Sequence, residues 1–289
     1  MRFGLSNPEH VNHGINPNRF SHMSMNDHGF LGKDIDTFRG KIYEEYQGLF
    51  EFFKELNHFL QKLKFNLVPS DSEDQQVAII TLYVKALETF QSVYILCSYG
   101  LPSDAEVLNR ALYETTVKIS YCSKGEDNYR RYLATDIRIR IKSINIIKHN
   151  PKVYSKEASR VEELDSQKTS FEAMLKEIGN PEKITIEGMA KKSGLGDMYD
   201  SFYHVASETV HTSPRSLEDY ILIDKDGKTV IVWGPRDKRI GIQLTAAIEF
   251  MLFSCQCLSE VFGQPKTEDI VAFNKKKEGI WIKSKERRR

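Results

Sequence analysis

Apolar residues recur along this chain mostly at the 3.6-residue period of amphipathic helices. Over about 38–64, Tyr46, Leu49, Phe50, Phe53, Leu56, Leu60 and Leu63 share one face and predict a first helix. Pro69 and Ser70 break it, and Asp71 or Ser72 can cap the next. That second helix, over about 73–99, is apolar on most of its surface, with Lys85, Glu88 and Ser92 as a narrow polar strip, so it belongs in the middle of a bundle. Gly100 ends it. Ser103 and Glu106 then stand at the spacing of a capping box and open a third helix to about residue 121. The short Gly-Leu-Pro connection makes these two helices an antiparallel hairpin.

The stretch from about 127 to 148 reads two ways. Ile137, Ile139 and Ile141 alternate with Arg138, Arg140 and Lys142 as in a strand, whereas Leu133, Ile137, Ile141, Ile144 and Ile147 fit a helix; the length decides for helix. Its basic residues, Arg130 through Lys148, form either a phosphate-binding stripe or a solvated outer face. A polar helix with a thin apolar seam follows over about 155–178, then a connector over 179–196 with a short helical piece near 186–191. After Pro214, the runs 220–223 and 230–233 flank Asp226-Gly227 and predict a β-hairpin within about 219–234. A last long helix, about 238–262, is nearly all core and contains Glu249, which must be paired or line an interior site.

The expected fold is therefore all-α, a helical bundle with a small β-hairpin insertion. The expected organisation is an N-terminal arm (1–36), one bundle domain (37–262) and a basic, mobile C-terminal tail (263–289). His10, His13, His22 and His28 in the arm invite a metal site, but their irregular spacing favours a solvated tail.

Charge adds little. Lysine plus arginine total 41 against 40 aspartates and glutamates, so net charge points to neither nucleic acid nor a membrane surface. The four cysteines, at 97, 122, 255 and 257, lack zinc or redox spacing and read as buried free thiols of a reducing compartment. No apolar leader is visible in residues 1–30, and the run 240–262 carries Gln243, Glu249, Gln256 and Glu260, too polar to span a bilayer. A cytoplasmic protein with no membrane partner is expected.

Candidate chemistry concentrates in Tyr203-His204-Val205-Ala206-Ser207-Glu208-Thr209-Val210-His211. As a helix, this segment sets His204, Ser207, Glu208 and His211 at i, i+3, i+4 and i+7, one polar stripe, and leaves Phe202, Val205, Ala206, Thr209 and Val210 to pack. One reading is an acid–base site with no cofactor: His211 or His204 moves protons near neutral pH, and Arg110, steadied by Glu114 one turn on, stabilises a phosphate. A second is a zinc or iron site on His204, Glu208, His211 and Glu114, since Glu208-x-x-His211 has the spacing used in helical di-iron bundles. A third is structural, with these side chains satisfied by neighbouring helices in a non-catalytic interaction module.

Arg110-Ala111-Leu112-Tyr113-Glu114 and the segment 203–211 resemble the paired signatures, R-x-L-x-E and Y-x-x-x-S-x-x-V-H, of an uncharacterised family of bacterial helical proteins. The likeness covers about 75–262 and implies a helical fold without an established activity. The chain is more distantly similar to the HEPN superfamily, helical bundles that often act as ribonucleases in toxin–antitoxin and phage-defence systems. That likeness implies RNA as a partner and a homodimer. The candidate catalytic residues are Arg110, Glu114, His204, Ser207 and His211; no arginine precedes His211 or His204 at the four-to-six-residue separation of the HEPN motif, so under that likeness Arg110 would replace it from another helix, or catalysis has been lost.

Overall fold

The computed structural model describes residues 28–70, 74–150, 158–224 and 226–286. His10, His13 and His22, the Asp71 or Ser72 cap and the terminal arginines lie outside these residues. The helices run in the order α1 (Asp34–Glu45), α2 (Gln47–Leu63), α3 (Asp74–Ser98), α4 (Pro102–Ser123), α5 (Glu126–His149), α6 (Ala158–Glu177), α7 (Ile186–Ser193) and α8 (Gly196–Met198). A π-helical turn, Tyr199–Tyr203, leads into α9 (His204–Val210), and a 3-10 helix, Pro214–Tyr220, leads into β1 (Ile221–Ile223) and β2 (Thr229–Ile231). The chain continues through α10 (Ile240–Phe262) and α11 (Thr267–Glu286).

The helical bundle and its antiparallel hairpin follow the sequence pattern closely. Helices α3 and α4 pack as the expected hairpin, and α5 is helical throughout. The strands pair Ile221 with Ile231 and Ile223 with Thr229; Asp224 Oδ1 accepts the amides of Asp226 and Lys228 at 2.9 and 2.8 Å, and Gly227 takes a φ of +76° to close the loop.

Helix α10 is more enclosed than α3. Helices α2, α3, α4 and α11 surround α10, and twelve of its residues are buried. Helix α3 keeps an outer strip open, with Val77, Val84 and Ile95 exposed, because its partners lie on one side. By length and composition alone, α3 and α10 are each apolar enough to cross a membrane. Two buried polar pairs fix α4 against α10: Asn109 Nδ2 donates to the Gln243 carbonyl at 2.9 Å and to Gln243 Oε1 at 2.8 Å, and Ser254 Oγ lies 3.2 Å from Thr116 Oγ1. Sliding α10 by one residue would break both, so they set register as well as contributing stability.

Three local expectations change. The first helix is two, α1 and α2, because the chain bends at Tyr46 (φ −107°, ψ 22°), whose phenol donates to the Asp237 carbonyl at 3.2 Å. Ser103 is not a helix cap: α4 already begins at Pro102, and Ser103 and Glu106 turn to tertiary partners instead. Residues 267–286 form a docked helix, not a loose tail. Ile270 of α11 is buried, Phe273 lies 4.9 Å from Phe59 and 6.0 Å from Phe52, and Lys276 pairs with Glu55. Glu249, expected to be paired or to line an interior site, is paired with Lys277 of α11, 2.7 Å away.

A polar seam between α4 and α9 as the candidate functional site

Glu106, Arg110, Glu114 and Lys118 recur every fourth residue and so form one strip along α4. Helix α9 and the π-turn lie over this strip and run against it: Tyr203 meets Arg110 and Glu114, and Thr209 meets Glu106. Arg110 Nη2 donates to Tyr203 Oη at 2.9 Å, and that phenol donates to Glu114 Oε1 at 3.0 Å. Arg110 Nε is 3.6 Å from the same carboxylate oxygen, the guanidinium lies 4.6 Å from the Tyr203 ring centre, and Lys118 stands 4.0 Å from Glu114 Oε2. The side chains of Arg110, Glu114 and Lys118 are 19, 27 and 28 % exposed, so each keeps an edge open to solvent.

The aromatic residues beneath hold this cluster in place. Tyr199 and Tyr203 stack at 4.7 Å within the π-turn, a widened turn that often occurs at functional sites. Tyr113 supports Tyr203 and Phe202 from α4, with ring centres 5.8 and 6.2 Å away, and donates its hydroxyl to the Leu195 carbonyl at 2.9 Å. Burial pushes the Tyr113 phenol well above its usual value, so it acts as a fixed donor. The Tyr199 phenol is also raised, first by burial and then by Tyr203 beside it.

At the other end of the seam, Glu106 accepts a 2.7 Å bond from the Thr209 hydroxyl and pairs with Arg239, the residue before α10. Arg239 also reaches Asp219 at 3.0 Å, and Lys238 reaches the same carboxylate at 3.0 Å. Burial raises the Asp219 pKa, but hydrogen bonds from Lys238 and Arg239 outweigh it and hold the carboxyl below the ordinary range. Burial likewise works against the Arg239 charge and is overcome by Asp219 and Glu106.

The predicted stripe faces the other way. His204, Glu208 and His211 are exposed, and Ser207 is half-buried. Ala206 is buried and Thr209 and Phe202 pack inward as expected, whereas Val205 and Val210 remain exposed. The imidazole of His204 stands edge-on to Tyr199 at 5.2 Å, and His211 ends α9 with its amide on the Ser207 carbonyl. Arg110 and Glu114 are thus brought together, while no hydrogen bond or ion pair among the described residues joins either of them to His204 or His211. His204, Glu208, His211 and Glu114 do not gather into a metal-binding set; no group of three or more such side chains does so among the described residues. Glu114 is committed to Tyr203, Arg110 and Lys118.

Sequence reasoning passed over Glu106, Lys118, Tyr203, Thr209, Asp219 and Arg239 as site residues. The four-residue repeat along α4 was the available signal for Glu106 and Lys118; nothing local marks Asp219 or Arg239, which arrive through tertiary folding.

No curated protein and no solved structure matches the chain. The model of a family of unknown function, DUF5677, matches residues 76–229, from α3 to the start of β2, and so spans both halves of the Arg110–Tyr203–Glu114 cluster. On that match, which covers more than half of its length, this chain belongs to DUF5677.

Proposed function

We propose that the α4–α9 seam binds RNA and cleaves its phosphodiester backbone by acid–base chemistry, without a metal. The observation that supports this most is the Arg110–Tyr203–Glu114 cluster, in which residues of two distant segments hold a partly exposed guanidinium in a fixed pose. An arginine oriented by a carboxylate and a phenol presents its free edge to a phosphate oxygen and stabilises the charge that grows there. Lys118 adds a second positive charge to the same strip.

In this reaction the ribose 2′-oxygen forms a bond to phosphorus and the 5′-oxygen leaves. One imidazole takes the 2′-hydroxyl proton and another acid returns a proton to the leaving oxygen. His204 and His211, exposed on the side of α9 turned away from Arg110, supply the imidazoles. For either imidazole to act on a phosphate held by Arg110, the RNA strand wraps around α9. A bacterial defence or stress-response setting rests on the HEPN likeness alone.

The test is cleavage of single-stranded RNA by the purified chain in the presence of a chelator. Arg110→Gln and one of His204→Ala or His211→Ala are each expected to slow cleavage about a hundredfold or more while leaving the far-ultraviolet dichroism unchanged. Absence of cleavage by the unaltered chain, or full activity in both histidine variants, overturns the reading.

A second reading, a homodimerising interaction module, is favoured by a different observation. Val205, Val210, Leu217, Ile223, Val230, Ile231 and Trp233 are exposed on α9, the 3-10 helix, the hairpin and the segment after it, and Trp233 is 80 % exposed. Light scattering of the unaltered chain against Trp233→Ser separates the two: a dimer lost in the variant, with no RNA cleavage by either, selects the module.

A further inference from the structure

Arg236 carries a charge that its surroundings do not balance. The residue is 8 % exposed, yet its Nε and Nη1 have no hydrogen-bond partner, and among the described residues no carboxylate pairs with it. Its recorded contacts are Nη2 to Ser103 Oγ at 3.3 Å, a stack on the Tyr220 ring at 3.8 Å and a backbone bond to the Gly100 carbonyl at 2.9 Å. The neighbouring Asp237 is not a counter-ion: its carboxyl is raised by burial, and the groups opposing that shift are backbone amides. A buried guanidinium without an anion is costly, so an arrangement of this kind is retained where an anion completes it.

The fold puts a second positive element at the same place. Ser103 is in the first turn of α4, a 22-residue helix whose N-terminus has no side-chain cap. The first-turn amides of Ser103 and Asp104 have no partner among the described residues. Such amides and the helix dipole favour negative charge. Stacking of the Arg236 face on Tyr220 leaves the in-plane N–H groups as the available donors. The segment carrying Arg236 is fixed here by Gly100, where a Cβ would meet Pro235 Cβ at 2.6 Å and Arg236 N at 3.0 Å.

We propose that Arg236, Ser103 and the first turn of α4 form a binding site for a phosphate group. The site takes a compact tetrahedral oxyanion, held by the guanidinium edge, the Ser103 hydroxyl and the free amides, with Tyr220 as its cover. Its argument is independent of the Arg110 cluster and of any cleavage reaction.

The experiment is a titration of the full chain with inorganic phosphate, at ionic strength held constant with sodium chloride, read by thermal unfolding and calorimetry. Phosphate is expected to raise Tm progressively beyond the chloride baseline. A parallel titration with a nucleoside monophosphate separates the sources: tighter binding than inorganic phosphate assigns the site to a nucleotide, equal or weaker binding to free phosphate. Arg236→Gln is expected to weaken phosphate binding about tenfold or more. Ser103→Asp places a carboxylate beside Arg236 at a helix N-terminus, where it is favoured, so it is expected to raise Tm without phosphate and to remove the phosphate response. This second variant decides the matter if Arg236→Gln does not fold. A response no larger than that of chloride, or one that Ser103→Asp leaves intact, overturns the proposal.

Discussion

Replacing Glu106 by glutamine removes one charge from a side chain that is 3 % exposed and leaves its shape almost unchanged. Glutamine keeps an oxygen for the Thr209 hydroxyl, so what is lost is the charge facing Arg239. Removing one partner of a buried pair costs about 3–5 kcal/mol when the survivor is stranded. Arg239 is not stranded, because Asp219 remains 3.0 Å away and the arginine side chain is 24 % exposed. The expected loss is therefore about 1.5–3 kcal/mol. For a chain of this size that lowers Tm by roughly 3–8 °C. Urea unfolding followed by circular dichroism should show a lower midpoint at an unchanged slope. Combining Glu106→Gln with Asp219→Asn strips Arg239 of both carboxylates, so the double loss should exceed the sum of the single losses. A loss below about 0.5 kcal/mol, or simple additivity, would mean that the cluster behaves as solvated surface charge and would refute the reasoning.

Gly100→Ala forces a Cβ to within 2.6 Å of both Phe38 and Pro235 at a φ of +72°, and is expected to cost about 2–4 kcal/mol by thermal unfolding. Gly179→Ala is its control: φ is +79° but nothing lies within 4 Å, so only backbone strain of about 1–2 kcal/mol remains. Asp219 and Asp237 should act oppositely with pH. The lowered Asp219 pKa stabilises the fold fully above its ordinary value of 3.8, and this is lost as pH falls through the folded value; Asp219→Asn should flatten that acid limb of a Tm–pH curve. Burial raises Asp237 above 3.8, so its ionisation opposes folding; Asp237→Asn should raise Tm at neutral pH and give no gain once the carboxyl is protonated. All four cysteines are buried free thiols whose ionisation burial disfavours, Cys122 being pushed up to about 12. Their reaction with a disulfide reagent at pH 8 should therefore follow unfolding; fast labelling of the native chain would contradict the packing.

Local periodicity carried the helices because each amphipathic face does pack, as Phe53 of α2 stacks on Phe90 of α3 at 3.7 Å. It failed where a distant partner decides. The break at Tyr46 depends on the Asp237 carbonyl, and the apparent cap at Ser103 and Glu106 gives way to Arg236, Arg239 and Thr209. The basic stretch after Gly263 looked like a solvated tail because its lysines are numerous, but Ile270 and Phe273 anchor it on the core. At the site, the two signatures lie on helices that pack together, but their histidines sit on the face turned away from Arg110. Histidines at i and i+7 mark a stripe, yet small Ala206 and aromatic Tyr203 determine which side turns inward, and the π-turn shifts that side relative to a regular helix.

The docking of α11 on α2 orders events during synthesis. Lys276 and its partner Glu55 are 221 residues apart, and a ribosome adding about 5–20 residues per second needs roughly ten to forty seconds to make the stretch between them. The α3–α4 hairpin can assemble early in that interval, since its two helices are adjacent in the chain. Phe52 and Phe59 of α2 must wait for Phe273. A nascent chain halted anywhere before α11 therefore leaves Phe52 and Phe59 without Phe273, an aromatic surface of the kind that chaperones recognise.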